Sequence, residues 1–434
     1  MDNIEKIGYS TLTKETAKII HDFLYSNIKF GDQENATFIA GVLIALSDNS
    51  FRNTYKGQED TQALIDLFMS AINRKIDNFE GLNFESKAAV KATFDFIKHN
   101  KNLLNSVDNT TKNTCLHVLT EIIEDNIYQI AKQNPTYDVL SEFYNQFASI
   151  SSQDQSTLGI VPTPYHIAHF MSDLLDIKEN DIIMDTCCGT SSLLLAAGHS
   201  NPVLGVEMQA RMIALSVANM IIRDKVNCNL WLGDSWNDNI LNQLKDKKPT
   251  KFIMNPPYAQ EGFPELGFVK KALDILEPRG LGVVIMPMST AIKQDNRTKA
   301  LREDILNNHQ LLATFSMPDQ LFYPVGVVTI VMLFRAHTPN EESTFFGYLK
   351  DDGFEITRAE GRKDMGKWID IRNEMIDLYN NFESKPGKSA TKLVTGTDEW
   401  CCEAYMETDY AEITPEMFMQ EMKAISMRNL WLEV

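Results

Sequence analysis

A chain of 434 residues with 44% hydrophobic content is long enough for two or three domains and has the composition of an ordinary globular protein. Its formal charge of −18 argues against tight duplex binding by this chain alone, because binding through counterion release needs a basic surface. No apolar run reaches the ~18 residues of a membrane span, and the first residues, with Asp2, Glu5 and Lys6, lack the shape of a signal peptide, so no membrane association and a cytoplasmic location are expected.

In chain order, residues 1–150 read as amphipathic helices over 13–30, 35–46, 61–76, 85–98, 110–128 and 141–150, an all-α domain. Asn134-Pro135-Thr136 interrupts this run, and Ser151-Ser152-Gln153-Asp154-Gln155-Ser156 reads as a polar linker. Strands are predicted at 181–185, 203–207, 228–232, 251–254, 281–287, 311–316 and 327–334, alternating with helical segments. That alternation implies an α/β domain over 151–340 with a mainly parallel sheet covered on both faces. The link between the last pair is too short for a crossover, so the final strand is predicted to be antiparallel.

Residues 341–434 form an acidic C-terminal region. Its end, from Thr397, carries Trp400, Tyr405, Tyr410, Phe418 and Trp431, aromatics that suggest docking to another chain, with packing back on the helical domain as the alternative. Net charge is −6 over 1–150, −3 over 151–340 and −9 over 341–434, so the middle segment is the least acidic. Within it, Lys293, Arg297, Lys299 and Arg302 read as a solvated helix face, with contact to phosphates as the sharper alternative. The adjacent pairs Cys187-Cys188 and Cys401-Cys402, without any C-x-x-C, suggest neither a zinc site nor a disulfide.

The chemistry concentrates at strand ends. The predicted strand 181–185 ends in Asp185, and Cys187-Cys188-Gly189-Thr190-Ser191-Ser192 then turns into an apolar helix, which opens a βαβ unit. Glu207 ends the next strand, 22 residues after Asp185, about the spacing at which an acid meets a ribose hydroxyl. The turn lacks the full G-x-G-x-x-G pattern, which argues against a pyrophosphate-bearing dinucleotide. S-adenosylmethionine fits better. It needs an acid near its ammonium end, close backbone approach at Gly189 and an acid on the ribose, while Asp234, after the third strand, would read the cofactor's adenine amine.

Asn255-Pro256-Pro257-Tyr258 follows the fourth strand. The exocyclic amine of adenine is a poor nucleophile because its lone pair is delocalised into the ring. A side-chain carbonyl on Asn255 and the backbone carbonyl of Pro256 can accept both amine hydrogens and localise that pair. Proline fixes the backbone direction, and Tyr258 offers a face on which a flipped base stacks. The plain alternative is a turn ending a strand.

These segments in this order resemble an amino-group DNA methyltransferase, specifically the modification subunit of a type I restriction-modification system. Gly159-Ile160-Val161-Pro162-Thr163-Pro164 resembles the family's Thr-Pro segment, and Thr163 and Pro164 have the form of an N-cap and a first helical residue. Met317-Pro318-Asp319-Gln320-Leu321-Phe322 with Gly326 resembles its closing hairpin. The departures are Ser191 and Ser192 where the family has glycines, and Tyr258 where Phe is more frequent.

The resemblance implies a Rossmann-like, S-adenosylmethionine-dependent methyltransferase sheet behind an N-terminal helical domain. The implied activity is adenine N6 methylation of double-stranded DNA at a site chosen by a DNA-specificity subunit. Further implied partners are a second copy of the chain and a restriction subunit. The implied cofactor residues are Val161, Thr163, Pro164, Asp185, Cys187, Gly189, Thr190, Ser191, Glu207, Met208, Asp234, Ser235 and Asn255, and the catalytic ones are Asn255, Pro256, Pro257 and Tyr258. A protein-glutamine or ribosomal-RNA amino-methyltransferase and a non-catalytic methyltransferase-like scaffold remain as alternatives.

Overall fold

A computed structural model describes residues 15–107, 113–136, 138–143, 163–198, 200–262, 264–323, 325–357 and 361–409, with 414, 415, 418–420, 422 and 423 beyond them. The linker 151–156 and the segment 159–162, which includes Val161, lie outside the described residues. Among the described residues no helix is long and apolar enough to cross a membrane.

The strands are β1 Ile183–Asp185, β2 Val203–Glu207, β3 Cys228–Leu232, β4 Lys251–Met254, β5 Leu281–Pro287, β6 Gln310–Ser316, β7 Thr329–Arg335, β8 Thr344–Tyr348, β9 Phe354–Thr357, β10 Gly361–Asp364 and β11 Ser389–Lys392. Nine of them form one sheet in the order β11-β8-β6-β7-β5-β4-β1-β2-β3, and β9 and β10 pair separately as a hairpin. From β3 to β5 all pairing is parallel; β7 runs antiparallel between β5 and β6, as its short connection requires. Strands β4, β5 and β7 are buried nearly end to end, with no alternation, because helices cover both faces. The chain winds from β1 outward to β3 and then returns to β4 on the other side of β1. The carboxyl ends of β1 and β4 therefore flank the point where the winding reverses, which is where open α/β sheets leave a crevice.

The N-terminal helices are not a detached unit. Helix Asp32–Leu46 is buried along its length from Ala36 onward, as a helix apolar on all sides must be, and it packs on helix Ala210–Ile222, itself almost wholly buried against the sheet. One hydrophobic core runs through both layers. The backbone of Gly81 accepts a hydrogen bond from Leu230 at 2.7 Å and so covers the open edge of β3.

Local detail differs from the sequence expectation. The helix predicted over 85–98 is two, Phe84–Ala92 and Phe96–His99, and Asn49–Thr54 forms a short helix that periodicity did not reveal. The helix predicted from 110 begins at Cys115, where Thr114 caps it, while Thr110 lies outside the described residues. Of the helix predicted over 141–150, only 141–143 is described.

The larger correction concerns the C-terminal region. The boundary expected at 340 does not divide the sheet, since β8 pairs parallel with β6 and β11 extends the sheet beyond β8. Trp400 is fully buried beside Phe334 and donates its indole N–H to the carbonyl of Thr395 at 3.0 Å, and Tyr405 packs on Phe346 with ring centroids 4.9 Å apart. Those aromatics complete the core; they do not form a docking surface. Tyr410 and Trp431 lie outside the described residues, and only Phe418 is exposed. Acidic composition concealed this, because charge content does not reveal which apolar residues between the carboxylates are buried.

Trp400→Ala is accordingly expected to cost about 3–5 kcal/mol, the range for emptying a buried tryptophan site, read as a shift in the denaturant midpoint. Phe418, 60% exposed, should cost less than about 0.5 kcal/mol when replaced by Ala.

Candidate functional site

Asp185 closes β1 with only 1% of its surface exposed. Its Oδ1 accepts a 2.8 Å hydrogen bond from the backbone N–H of Cys187, and among the described residues no basic side chain pairs with it. Burial pushes its pKa up to about 8, and the nearby charge of Glu207 adds to the rise. Burial likewise lifts Glu207 above the usual carboxylate range. Glu207 accepts from the N–H of Gly189 at 3.1 Å and from that of Gln209 at 2.7 Å, so the acid at the end of β2 holds the turn that follows β1. Cys187 and Cys188 are raised by burial well above the ordinary thiol range, and both sulfurs stay protonated.

Two glycines explain the shape of the turn. Gly189 has φ of +52°, in the left-handed region, and a Cβ there would project into open space. Gly205 on β2 lies beneath the turn, where a Cβ would come within 2.9 Å of the Cys188 sulfur. Bare backbone at Gly205 lets the turn lie flat, and the Cys188 N–H donates to Val206 at 2.9 Å. The result is an open cradle rimmed by one buried acid, Asp185, and one half-buried acid, Glu207, an arrangement suited to a cationic ligand with hydroxyls.

The side chains of Thr190 and Ser191 turn away from that cradle. The Thr190 hydroxyl lies 3.0 Å from Asp138 Oδ2 and 2.7 Å from Ser141 Oγ. Asn219 Nδ2 donates both to Asp138 at 3.0 Å and to the Thr190 carbonyl at 2.9 Å. Ser191, fully buried with φ of +67°, bonds Ser216 on helix Ala210–Ile222. Both residues anchor the turn from behind, since a buried hydroxyl must find a partner and the nearest ones lie in the helical layer. Asp138 escaped notice in the sequence. Its one signal was Asp138-Val139-Leu140-Ser141, the pattern of a helix cap, and Asp138 does accept from the Ser141 N–H at 3.1 Å.

On the other side of β1, Asn255 follows β4. Its Nδ2 donates to the Thr163 hydroxyl at 3.0 Å. Thr163 was expected to cap the next helix, but Pro164 is the N-cap residue of Tyr165–Leu174 and, among the described residues, no side chain caps that helix. Pro256 is buried, and Pro257 and Tyr258 are half-buried. The Tyr258 hydroxyl is enclosed without a hydrogen-bond partner among the described residues, and burial pushes its pKa up, so the phenol stays neutral. Glu265 accepts from the Ala259 N–H at 2.8 Å and Arg297 donates to the Gly262 carbonyl at 2.9 Å, which braces the loop beyond Tyr258.

The remaining predicted residues stand at the rim. Asp234 is exposed after β3 and accepts from the Trp236 N–H at 2.8 Å, Ser235 lies 4.0 Å from the Cys187 sulfur, and Met208 is 68% exposed beside Glu207. Of the basic group, Arg302 is fully buried, donates to the carbonyls of Ala291 and Lys293, and lies 5.6 Å from the Trp400 ring centroid. It supports the core and is not part of a phosphate-facing surface, whereas Lys293 and Arg297 are exposed and Lys299 is half-buried.

Residues 135–412 match the family described as N-6 DNA Methylase. A type II restriction enzyme and methyltransferase, RM.BcgI of Heyndrickxia coagulans, is 26% identical over 420 residues, which covers 90% of this chain and 65% of that protein. A type I restriction enzyme methylase subunit, MjaVIII of Methanocaldococcus jannaschii, is 22% identical over 343 residues, covering 69% of this chain and 59% of the relative. The chain thus spans about three fifths of the length of these curated relatives. A solved type I restriction-modification methyltransferase subunit from Streptococcus thermophilus superposes with a TM-score of 0.63 at 14% identity, over 92% of this chain and 100% of that one, and shares its fold.

The raised pKa of Asp185 has a consequence for stability. Folded, the carboxyl keeps its proton up to about pH 8, whereas unfolded it releases it near about pH 4. Wild-type protein should therefore lose stability relative to Asp185→Asn as the pH climbs from about 4 to about 8, with no further divergence above that. Thermal denaturation of both proteins across this range tests it, and parallel curves would remove the assignment.

Proposed function

The chain belongs to the N-6 DNA methylase family, and from that premise we propose that it transfers a methyl group to N6 of an adenine flipped out of duplex DNA. It would act as the modification subunit of a restriction-modification system, with S-adenosylmethionine as methyl donor. The observation that carries this reading is the arrangement at the sheet's switch point: Asn255-Pro256-Pro257-Tyr258 at the end of β4 adjoins a turn after β1 ringed by Asp185 and Glu207.

When bound, S-adenosylmethionine supplies a sulfonium methyl, whose bond to sulfur breaks as the bond to N6 forms. Asp185 and the cradle at Gly189 would take the cationic end, Glu207 the ribose hydroxyls, and Met208, Asp234 and Ser235 the adenine end. The carbonyls of Asn255 and Pro256 would accept the amine hydrogens, localising the lone pair, and Tyr258 would stack on the base. The N6 proton leaves for solvent after attack. Catalysis of this kind rests on positioning and polarisation; it needs neither a metal nor a strong base.

The net charge of −18 supports division of labour: a separate specificity subunit would hold the duplex and read its sequence, with two copies of this chain serving the two strands and a restriction subunit completing the system.

By calorimetry, Glu207→Ala should weaken S-adenosylmethionine binding about tenfold or more, the value of a charged hydrogen bond lost. Unchanged affinity would remove the ribose assignment. Asn255→Ala should leave that affinity within about threefold and lower transfer of tritiated methyl to DNA by about 10²–10³, as for loss of an electrostatic contact made to the reacting group. Efficient site-specific methylation by this chain without any partner would overturn the specificity-subunit proposal.

A further inference from the structure

We propose that Thr163 is a positioning residue for the transfer, one whose hydroxyl holds the Asn255 amide in the place from which it grips the target amine. This rests on the function proposed above. The two ends of an asparagine amide are nearly equal in size, and a half-turn about the last side-chain bond exchanges them. One orientation offers an acceptor to the N6 hydrogens. The other sets N–H against N–H and gives no catalysis.

The amide must therefore be kept from turning, and the Thr163 hydroxyl is placed to hold it. It accepts from Asn255 Nδ2 at 3.0 Å, across 92 positions of sequence. Holding the nitrogen branch turns the oxygen branch the opposite way. The hydroxyl is available for this because it is not used where a threonine before a helix usually serves. Among the described residues no side chain caps helix Tyr165–Leu174, and Pro164, which lacks an N–H, occupies the N-cap position. Thr163 is itself buried, so water competes little for the contact.

The helix behind Thr163 is pinned where it must be. His166 Nε2 lies 2.9 Å from Asp352 Oδ2, its ring stacks on Phe354 with centroids 4.2 Å apart, and Arg362 grips the other oxygen of the buried Asp352. Farther along, Phe170 meets Trp368 edge to face at 6.0 Å, and Arg372 pairs with Asp173. The β9–β10 hairpin and the helix after it thus clamp the segment that carries Thr163. A pinned hydroxyl can orient an amide; a mobile one cannot.

The test compares wild type, Thr163→Val and Thr163→Ser as full chains assembled with the specificity partner, by steady-state methyl transfer and by hydrogen exchange of the Asn255 side-chain amide in NMR. Valine keeps the shape and removes the acceptor. It should lower kcat about tenfold, with KM for S-adenosylmethionine within about twofold, and speed exchange of the Asn255 amide, while serine recovers most of both. Should the valine variant fail to fold, Thr163→Ala takes its place with the same expectation. Unchanged kcat, or a raised KM with kcat intact, would overturn the proposal and leave Thr163 as a cofactor ligand only. Amide exchange unaltered by valine would overturn it too. That exchange measurement decides even if wild type methylates no adenine, an outcome that would defeat the proposed function instead.

Discussion

A carboxylate buried at the end of β1, with little more than one backbone N–H to satisfy it, is the constraint around which the site is organised. Taking Asp185 out of water raises the energy of its charged form, and Glu207 close by raises it further. Such a group is tolerated only where the fold is over-determined around it. Here the flat turn over Gly205, the left-handed step at Gly189 and the hydrogen bond from Gly189 to Glu207 supply that rigidity. While the carboxyl keeps its proton this cost is avoided, and a positive charge brought close to it would favour the ionised form.

The turn is also held from behind. Thr190, Ser141, Asp138 and Asn219 share one buried network, and Arg223 extends it by donating to the Pro135 carbonyl at 2.8 Å and to Asn219. Residues preceding the sheet thus contribute directly to the geometry of the cradle. With a single core running through both layers, the N-terminal helices have a role in positioning the site whatever else they contact.

A similar economy operates at the other end of the chain. β8 and β11 widen the sheet, Trp400 and Arg302 fill the space over β7, and the β9–β10 hairpin clamps the helix that carries Thr163. The acidic surface of this region is then the outer side of a structural element.

Periodicity and turn chemistry are local, and much of what they govern was legible in the residues, the short helix Asn49–Thr54 and the strands beyond residue 340 excepted. The strand segments ending in Asp185, Glu207, Leu232 and Met254, the parallel winding, the antiparallel last strand and the collection of acids and Asn255 at one edge all follow from patterns a few residues long. What only the tertiary structure decided is where the side chains of those motifs are spent. Thr163 reaches Asn255 instead of its own helix, Thr190 and Ser191 turn inward, and Trp400 and Arg302 are buried together. Each of these depends on a partner far away in sequence, and a hydroxyl, guanidinium or indole has no preference for a distant partner until the sheet has brought the two together.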